Sequence, residues 1–230
     1  MQIAKDGWSV INKIALIFIF FLLLIFIRDY LNVIIITMAV IFGLLTAFAF
    51  YFFRDPERKT PAGKDLIISP ADGKVIKIEK VYDPDYRKEE SMLISVFMNV
   101  FSVHVNRYPV GGKVEFTKYN PGKFMAAWDD KASTDNEHSI IGVDTGAHKV
   151  TFKQIAGLIA RRIVYYSKPG DLAEKGARFG LIKFGSRVDI LLPLDSKINV
   201  RIGSWVTAGE SILGELPPAT EDDSNKYLSV

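Results

Sequence analysis

The chain is expected to be mainly β (α+β), with a β-rich sandwich- or barrel-like domain preceded by a hydrophobic helical membrane anchor. Three observations predict this. Two long apolar runs, residues 14–27 and 31–53, dominate the start of the 230-residue chain. Beyond them, short stretches rich in β-branched residues alternate with Gly-, Pro- and Asp-bearing turns. Cysteine is absent. The core must therefore form without disulfides, and thiol nucleophiles and thiolate metal sites are excluded.

The run 31–53 is interrupted only by Asn32, Thr37, Gly43 and Thr46 and meets the length criterion for a spanning helix. The run 14–27 is shorter and is accommodated by tilt, bilayer thinning or partial entry. With Arg28-Asp29-Tyr30 between them, the two predict a helical hairpin over 1–53, with both ends on one side. Lys5 and Lys13 before it, and Arg54, Arg58 and Lys59 after it, place that side in the cytoplasm, against the weaker opposing vote of Arg28. Ala47-Phe48-Ala49 resembles a signal-peptide cleavage site, but the runs are too long for a normal signal sequence and basic residues follow directly. An anchor of this kind suits either a lipid substrate or a tethered soluble function. The remaining domain is expected at 54–230.

Residues 54–61 form a polar, proline-bearing linker. In 67–79, the pair Asp72-Gly73 signals a turn between β runs. A charged loop follows at 82–90, then a buried strand at 92–100. An alternating run at 103–109 stops at Pro109, and Gly111-Gly112 turns into a strand at 113–119. Residues 120–137 are irregular, with a short helix expected near 124–128. Strands are expected at 138–143, 149–155, 180–192 and 197–202, with 157–166 open between helix and strand and 170–176 a polar turn. Glycines punctuate short β runs over 200–214, and the tail from Pro217 is polar. Residues 69–75 and 203–214 both resemble pieces of lipoyl- or biotinyl-carrier hammerheads. Lys74 would then be the attachment lysine, but the methionine neighbours of biotinyl carriers are missing.

The formal net charge is +3, and no dense basic tract points to nucleic acid. The three histidines, His104, His138 and His148, lack metal-ligand spacing, so no metal site is expected. His138 and His148 sit in polar loop or edge contexts and read as structural.

The run Leu181-Ile-Lys-Phe-Gly-Ser-Arg-Val-Asp-Ile-Leu-Leu-Pro193 carries the most chemistry. Gly185 leaves its carbonyl sterically open, and the hydroxyl of Ser186 can reach it. Such a pair permits the chain to attack itself. Alone, it reads first as a strand with a glycine bulge and an exposed serine, and only the rest of the sequence reverses that order. Two further elements accompany it: Ser69-Pro-Ala-Asp72-Gly73 and Asn99-Val-Phe-Ser-Val-His104-Val-Asn106-Arg107. Together the three supply a hydroxyl, a carboxylate and an imidazole.

With Gln154-Ile-Ala-Gly-Leu-Ile-Ala-Arg161-Arg162, this set resembles the phosphatidylserine decarboxylase proenzymes, in their short archaeal/bacterial-type branch, over nearly all of 54–214. The resemblance implies that Asp72 orients His104, which takes the proton of Ser186. The alkoxide then attacks the Gly185 carbonyl, and the resulting ester is eliminated, leaving two chains and a pyruvoyl group at position 186. That covalent cofactor would form a Schiff base with the serine headgroup amine and act as the electron sink for loss of CO₂. Phosphatidylserine would become phosphatidylethanolamine; an ether-linked archaetidylserine is the variant substrate. Arg161 and Arg162 would pair with the substrate phosphate or carboxylate. Arg107 stands where longer family members carry a second histidine, and Phe-Gly-Ser-Arg replaces their Leu-Gly-Ser-Thr. A non-catalytic membrane-tethered binding module and a serine hydrolase using Ser186 are the competing readings, though the Gly-x-Ser-x-Gly elbow of hydrolases is missing.

Overall fold

The computed structural model describes residues 2–27, 33–123, 135–157, 162–183 and 186–219. The chain divides into two compact units, 1–57 and 58–230.

In the first unit, α1 (Trp8–Ile27) and α2 (Val33–Phe52) are both long and apolar enough to cross a membrane. α1 begins well before the apolar run that predicted it. Ser9, Asn12 and Lys13 join it because helical hydrogen bonding is satisfied within the backbone whatever the side chain. The helices pack antiparallel: Phe21 stacks on Phe42 at 5.7 Å, and Trp8 meets Phe50 edge-on at 6.1 Å. Thr37 and Thr46 donate their hydroxyls to the carbonyls of Val33 and Phe42. This satisfies both threonine hydroxyls of α2 within its apolar surface. Two short strands, β1 (Gln2–Ile3) and β2 (Arg54–Asp55), pair antiparallel and clasp the ends.

The second unit carries, in chain order, β3 (Leu66–Ile68), β4 (Gly73–Tyr82), β5 (Glu90–Met98), β6 (Val105–Arg107) and β7 (Gly112–Asn120). There follow β8 (His138–Asp144), β9 (Lys149–Ala156), β10 (Arg162–Tyr165), β11 (Leu172–Ala173) and β12 (Arg178–Lys183). The last four are β13 (Ser186–Leu192), β14 (Lys197–Ile198), β15 (Trp205–Val206) and β16 (Ile212–Glu215). Eight form an antiparallel sheet in the order β11-β7-β8-β9-β13-β5-β4-β15, with three-stranded sheets β10-β12-β6 and β14-β16-β3 beside it. The core draws on Val96, Phe152, Val188 and Ile190 from the large sheet, Phe179 and Ile182 from one small sheet, and Ile67 and Leu213 from the other. The expected β-rich, sandwich-like class is what the chain adopts.

Asp72-Gly73 does not close a hairpin. β3 pairs with β16 and β4 with β5, so the turn carries the chain from one sheet to another. Gly73 is required because a Cβ there would lie 2.0 Å from the Phe97 carbonyl oxygen of the neighbouring strand. The two segments that look alike in sequence meet in space: Gly73 pairs with Val206, and Ser69 N donates to Ser211 O at 2.8 Å. Of the ambiguous stretch 157–166, residues 162–165 are a strand. The helix expected near 124–128 lies outside the described residues.

Candidate active site

Ser186 opens β13, the strand between β5 and β9, opposite Met98 on one side and Ala156 on the other. Alternation along β13 turns Val188 and Ile190 into the core, and Ser186 shares their face. The residue is 0 % exposed, so the exposed serine of the simple strand reading is replaced by a buried one. Its hydroxyl donates to the Met98 thioether at 3.3 Å, a weak acceptor that leaves the oxygen lightly held. Gly185, on the other side of the expected cleavage point, lies outside the described residues, as does Arg161.

The Met98 sulfur also accepts from Asn106 Nδ2 at 3.7 Å. Asn106 Oδ1 accepts from Gln154 Nε2 at 2.8 Å, and Gln154 Oε1 accepts from the Ser139 hydroxyl at 2.8 Å. A buried polar chain thus links Ser186 on β13 to β5, β9 and β8 of the large sheet by way of β6. Its signal is a glutamine at a fully buried position of β9; in the sequence Gln154 and Asn106 stand out only as parts of longer motifs.

His104 is buried just ahead of β6. Its carbonyl accepts from Ile182 N at 3.3 Å, on the strand that leads into the Gly185-Ser186 bond. Nδ1 lies 2.9 Å from the Ser102 carbonyl oxygen. A neutral ring donating from Nδ1 carries its lone pair on Nε2, the form a general base needs. Asn99 shapes this segment: its Oδ1 accepts from the amides of Phe101 and Ser102 at 2.9 and 3.1 Å.

Asp72 stands beside β4 at the same end of the sheet. Gly73 and Ser186 flank the end of β5 on opposite sides, two strand spacings or about 10 Å apart. Both carboxylate oxygens of Asp72 are engaged: Arg58 Nη2 donates to Oδ2 and the Ala208 amide to Oδ1, each at 2.8 Å. Among the described residues, Asp72 therefore bonds to Arg58 and Ala208 rather than to His104. Arg58 also reaches Glu210 at 3.5 Å. The sequence placed Arg58 in a linker, because nothing local marks a cation whose partner lies across a turn.

Arg107 is buried; it donates from Nη1 to the Gly176 carbonyl at 2.9 Å. Its stem passes so near Gly209 that a Cβ there would come 2.8 Å from Cδ. Arg162 is exposed at the start of β10, opposite Lys183. Burial, then the hydrogen bond to and charge of Glu137, push the Tyr119 hydroxyl above its ordinary range, while Arg162 pulls it down. His138 and His148 bond the carbonyls of Asn136 and Pro217 at 2.7 and 2.8 Å. Among the described residues, no group of three or more His, Asp or Glu is placed to hold a metal ion.

A family model described as phosphatidylserine decarboxylase matches residues 45–214. A phosphatidylserine decarboxylase proenzyme of Symbiobacterium thermophilum is 43% identical over 216 residues, covering 94% of this chain and 96% of its own. One of Desulfotalea psychrophila is 51% identical over 177 residues, 76% of this chain and 83% of its own. One of Cupriavidus taiwanensis is 49% identical over 175 residues, 75% and 81% respectively.

Proposed function

The chain belongs to the phosphatidylserine decarboxylase family, and from that premise we propose a membrane-anchored, self-processing enzyme that converts phosphatidylserine to phosphatidylethanolamine and CO₂. One observation carries the self-processing part: Ser186 is the first residue of a central strand. A cut before it severs only the passage from β12 in one sheet to β13 in another. β13 stays bonded to β5 and β9 along its length, while β15 and β16, further along the same piece, stay bonded to β4 and β3. Two chains made by that cut remain one fold.

In this proposal His104 takes the Ser186 proton at Nε2, and the alkoxide attacks the Gly185 carbonyl. The amide becomes an ester. Loss of the Ser186 α-proton expels the upstream chain as a carboxylate. The dehydroalanine left at 186 tautomerises to an imine, and water replaces its nitrogen, which departs as ammonia. The residues fit the resulting group. Ser186 is enclosed, its hydroxyl is lightly held by sulfur, and its strand is pinned from both sides. A pyruvoyl carbonyl supplies an electron sink for decarboxylation of an amine-bearing substrate. His104 then holds and returns a proton at the same place. Arg162, and Arg161 beside it, offer cations to the anionic headgroup. Asp72 completes the set; Arg58 holds it in the uncleaved chain, so serving His104 requires release of that tie. The anchor keeps the domain at the bilayer, and the basic residues around the helices favour the cytoplasmic face.

The test is the intact mass of the purified full chain in detergent. Two masses are expected, one ending at Gly185 and one starting at residue 186, the latter lighter by one ammonia than a hydrolysis product. A single unbroken mass from folded protein would overturn the proposal.

A further inference from the structure

We propose that the turn from Arg201 to Trp205 is a bilayer-docking element of the catalytic domain, with Trp205 and Ile202 entering the lipid interface and Lys74 and Arg201 meeting lipid phosphates. This rests on the proposed action on a lipid and names the surface that would reach it. Trp205 is 68 % exposed and Ile202 is 62 % exposed, although their neighbours Val206 and Ala208 are buried. The exposure does not come from a loose backbone. Gly203 N donates to Val75 O at 2.8 Å, Val75 N to Ser204 O at 2.9 Å, and Ser204 N to Arg201 O at 3.0 Å. Gly203 takes a φ of +95°, which closes the turn. A held turn that presents a tryptophan and an isoleucine outward is built to contact something.

The charges select the occupant. Lys74 is exposed and sits opposite Trp205 in the ladder, and its Cε lies 4.0 Å from where a Cβ on Gly203 would be. Arg201 is exposed directly before Ile202. An indole and an aliphatic side chain flanked by Lys and Arg suit the headgroup layer of an anionic membrane, where Trp settles and each cation adds attraction. A bilayer is also the surface this domain meets at highest effective concentration, because two helices apolar enough to span one precede it by a few residues. Location gives the docking a purpose. Trp205 and Val206 pair with Lys74 and Gly73, beside Asp72 and at the end of the sheet where Ser186 begins β13. Phe101, also exposed, lies in the turn leaving β5 at that end. Docking here turns the reacting end of the sheet toward the lipid.

The experiment uses the full chain with Trp8→Phe and Trp128→Phe, so that Trp205 alone emits. It is reconstituted into phosphatidylcholine vesicles with and without phosphatidylglycerol, carrying acyl chains brominated near the headgroup. Expected is a fall in emission of about twofold or more with the anionic brominated lipid, together with protection from aqueous iodide. Lys74→Gln with Arg201→Gln, or high salt, should relieve the quenching. Unquenched, iodide-accessible emission would overturn the proposal. Protection from iodide without bromine quenching would overturn it too, since a second copy or another protein would then cover the turn. The readout needs no decarboxylation, so its failure leaves the proposed function standing, and an uncleaved chain leaves the quenching result standing.

Discussion

Arg187, the first residue after the proposed cleavage bond's serine, is 0 % exposed, and Asp189 beside it on the same face of β13 is 2 % exposed. Arg187 Nη2 donates to Asp189 Oδ2 at 3.1 Å, and Nε lies 2.9 Å from Oδ1. The cation across the ladder from Asp189 is Lys153, whose Nζ is bonded to Asp85 at 2.9 Å. Arg187→Met keeps the bulk of the side chain and removes its charge, leaving the enclosed carboxylate without its two-point partner. Breaking a buried pair in this way costs about 3–5 kcal/mol. For a domain of this size, that lowers the thermal midpoint by about 6–20 °C. The assay is thermal unfolding of the full chain in detergent, followed by circular dichroism, in a Ser186→Ala background so that cleavage does not vary. Adding Asp189→Leu to Arg187→Met should recover part of the loss, because both members of the buried pair are then replaced by apolar side chains. A shift below about 2 °C for Arg187→Met would refute the reasoning, since it would mean that water or another cation reaches Asp189.

Ser186→Ala should abolish both cleavage and decarboxylation, and His104→Ala or Asp72→Asn should leave most of the protein uncleaved on denaturing gels; normal processing of any of them removes that residue from the proposed machinery. Gly73→Ala places a methyl 2.0 Å from the Phe97 oxygen, and forcing β4 from β5 should cost about 1–3 kcal/mol or more, read as a lower thermal midpoint; an unchanged midpoint would show that the strands separate freely. For Asp85, burial acts to raise the pKa, but the hydrogen bonds and charges of Lys153 and Lys118 outweigh it and hold the carboxyl below its ordinary value. A depressed native pKa gives stability that is present above the unfolded value of about 4 and lost as pH falls through the native value. Asp85→Asn should therefore lower the midpoint at neutral pH, with the gap to the parent closing in acid; equal midpoints at neutral pH would count against the pairing.

Much of the fold was legible because its signals are short-range. A spanning helix announces itself by length and apolarity, and α1 and α2 arise where those runs lie. Strands such as β5, β8, β9 and β13 follow from β-branched runs bounded by turns. The proposed site also starts from sequence, since Gly185-Ser186, His104 and Asp72 are singled out there by residue type and motif. The partners of those residues were not. Arg58 looked like linker charge until the turns around residues 72 and 208 were brought beside it. Arg187 and Asp189 occupy alternate positions that would read as a solvated strand face, yet both are enclosed.

By itself, then, the sequence determined the two membrane-compatible apolar helices, the β-rich class and the Gly185-Ser186 dipeptide on which the proposed self-cleavage rests, because each depends on periodicity or residue type within a few positions. Only the tertiary structure decided that Ser186 starts a central buried strand beneath the Met98 sulfur, that Ser102 faces His104 Nδ1, and that Asp72 is tied to Arg58. Those are consequences of strand register and sheet order, set jointly by residues far apart in the chain. No local pattern encodes which side chain stands across a ladder or a turn.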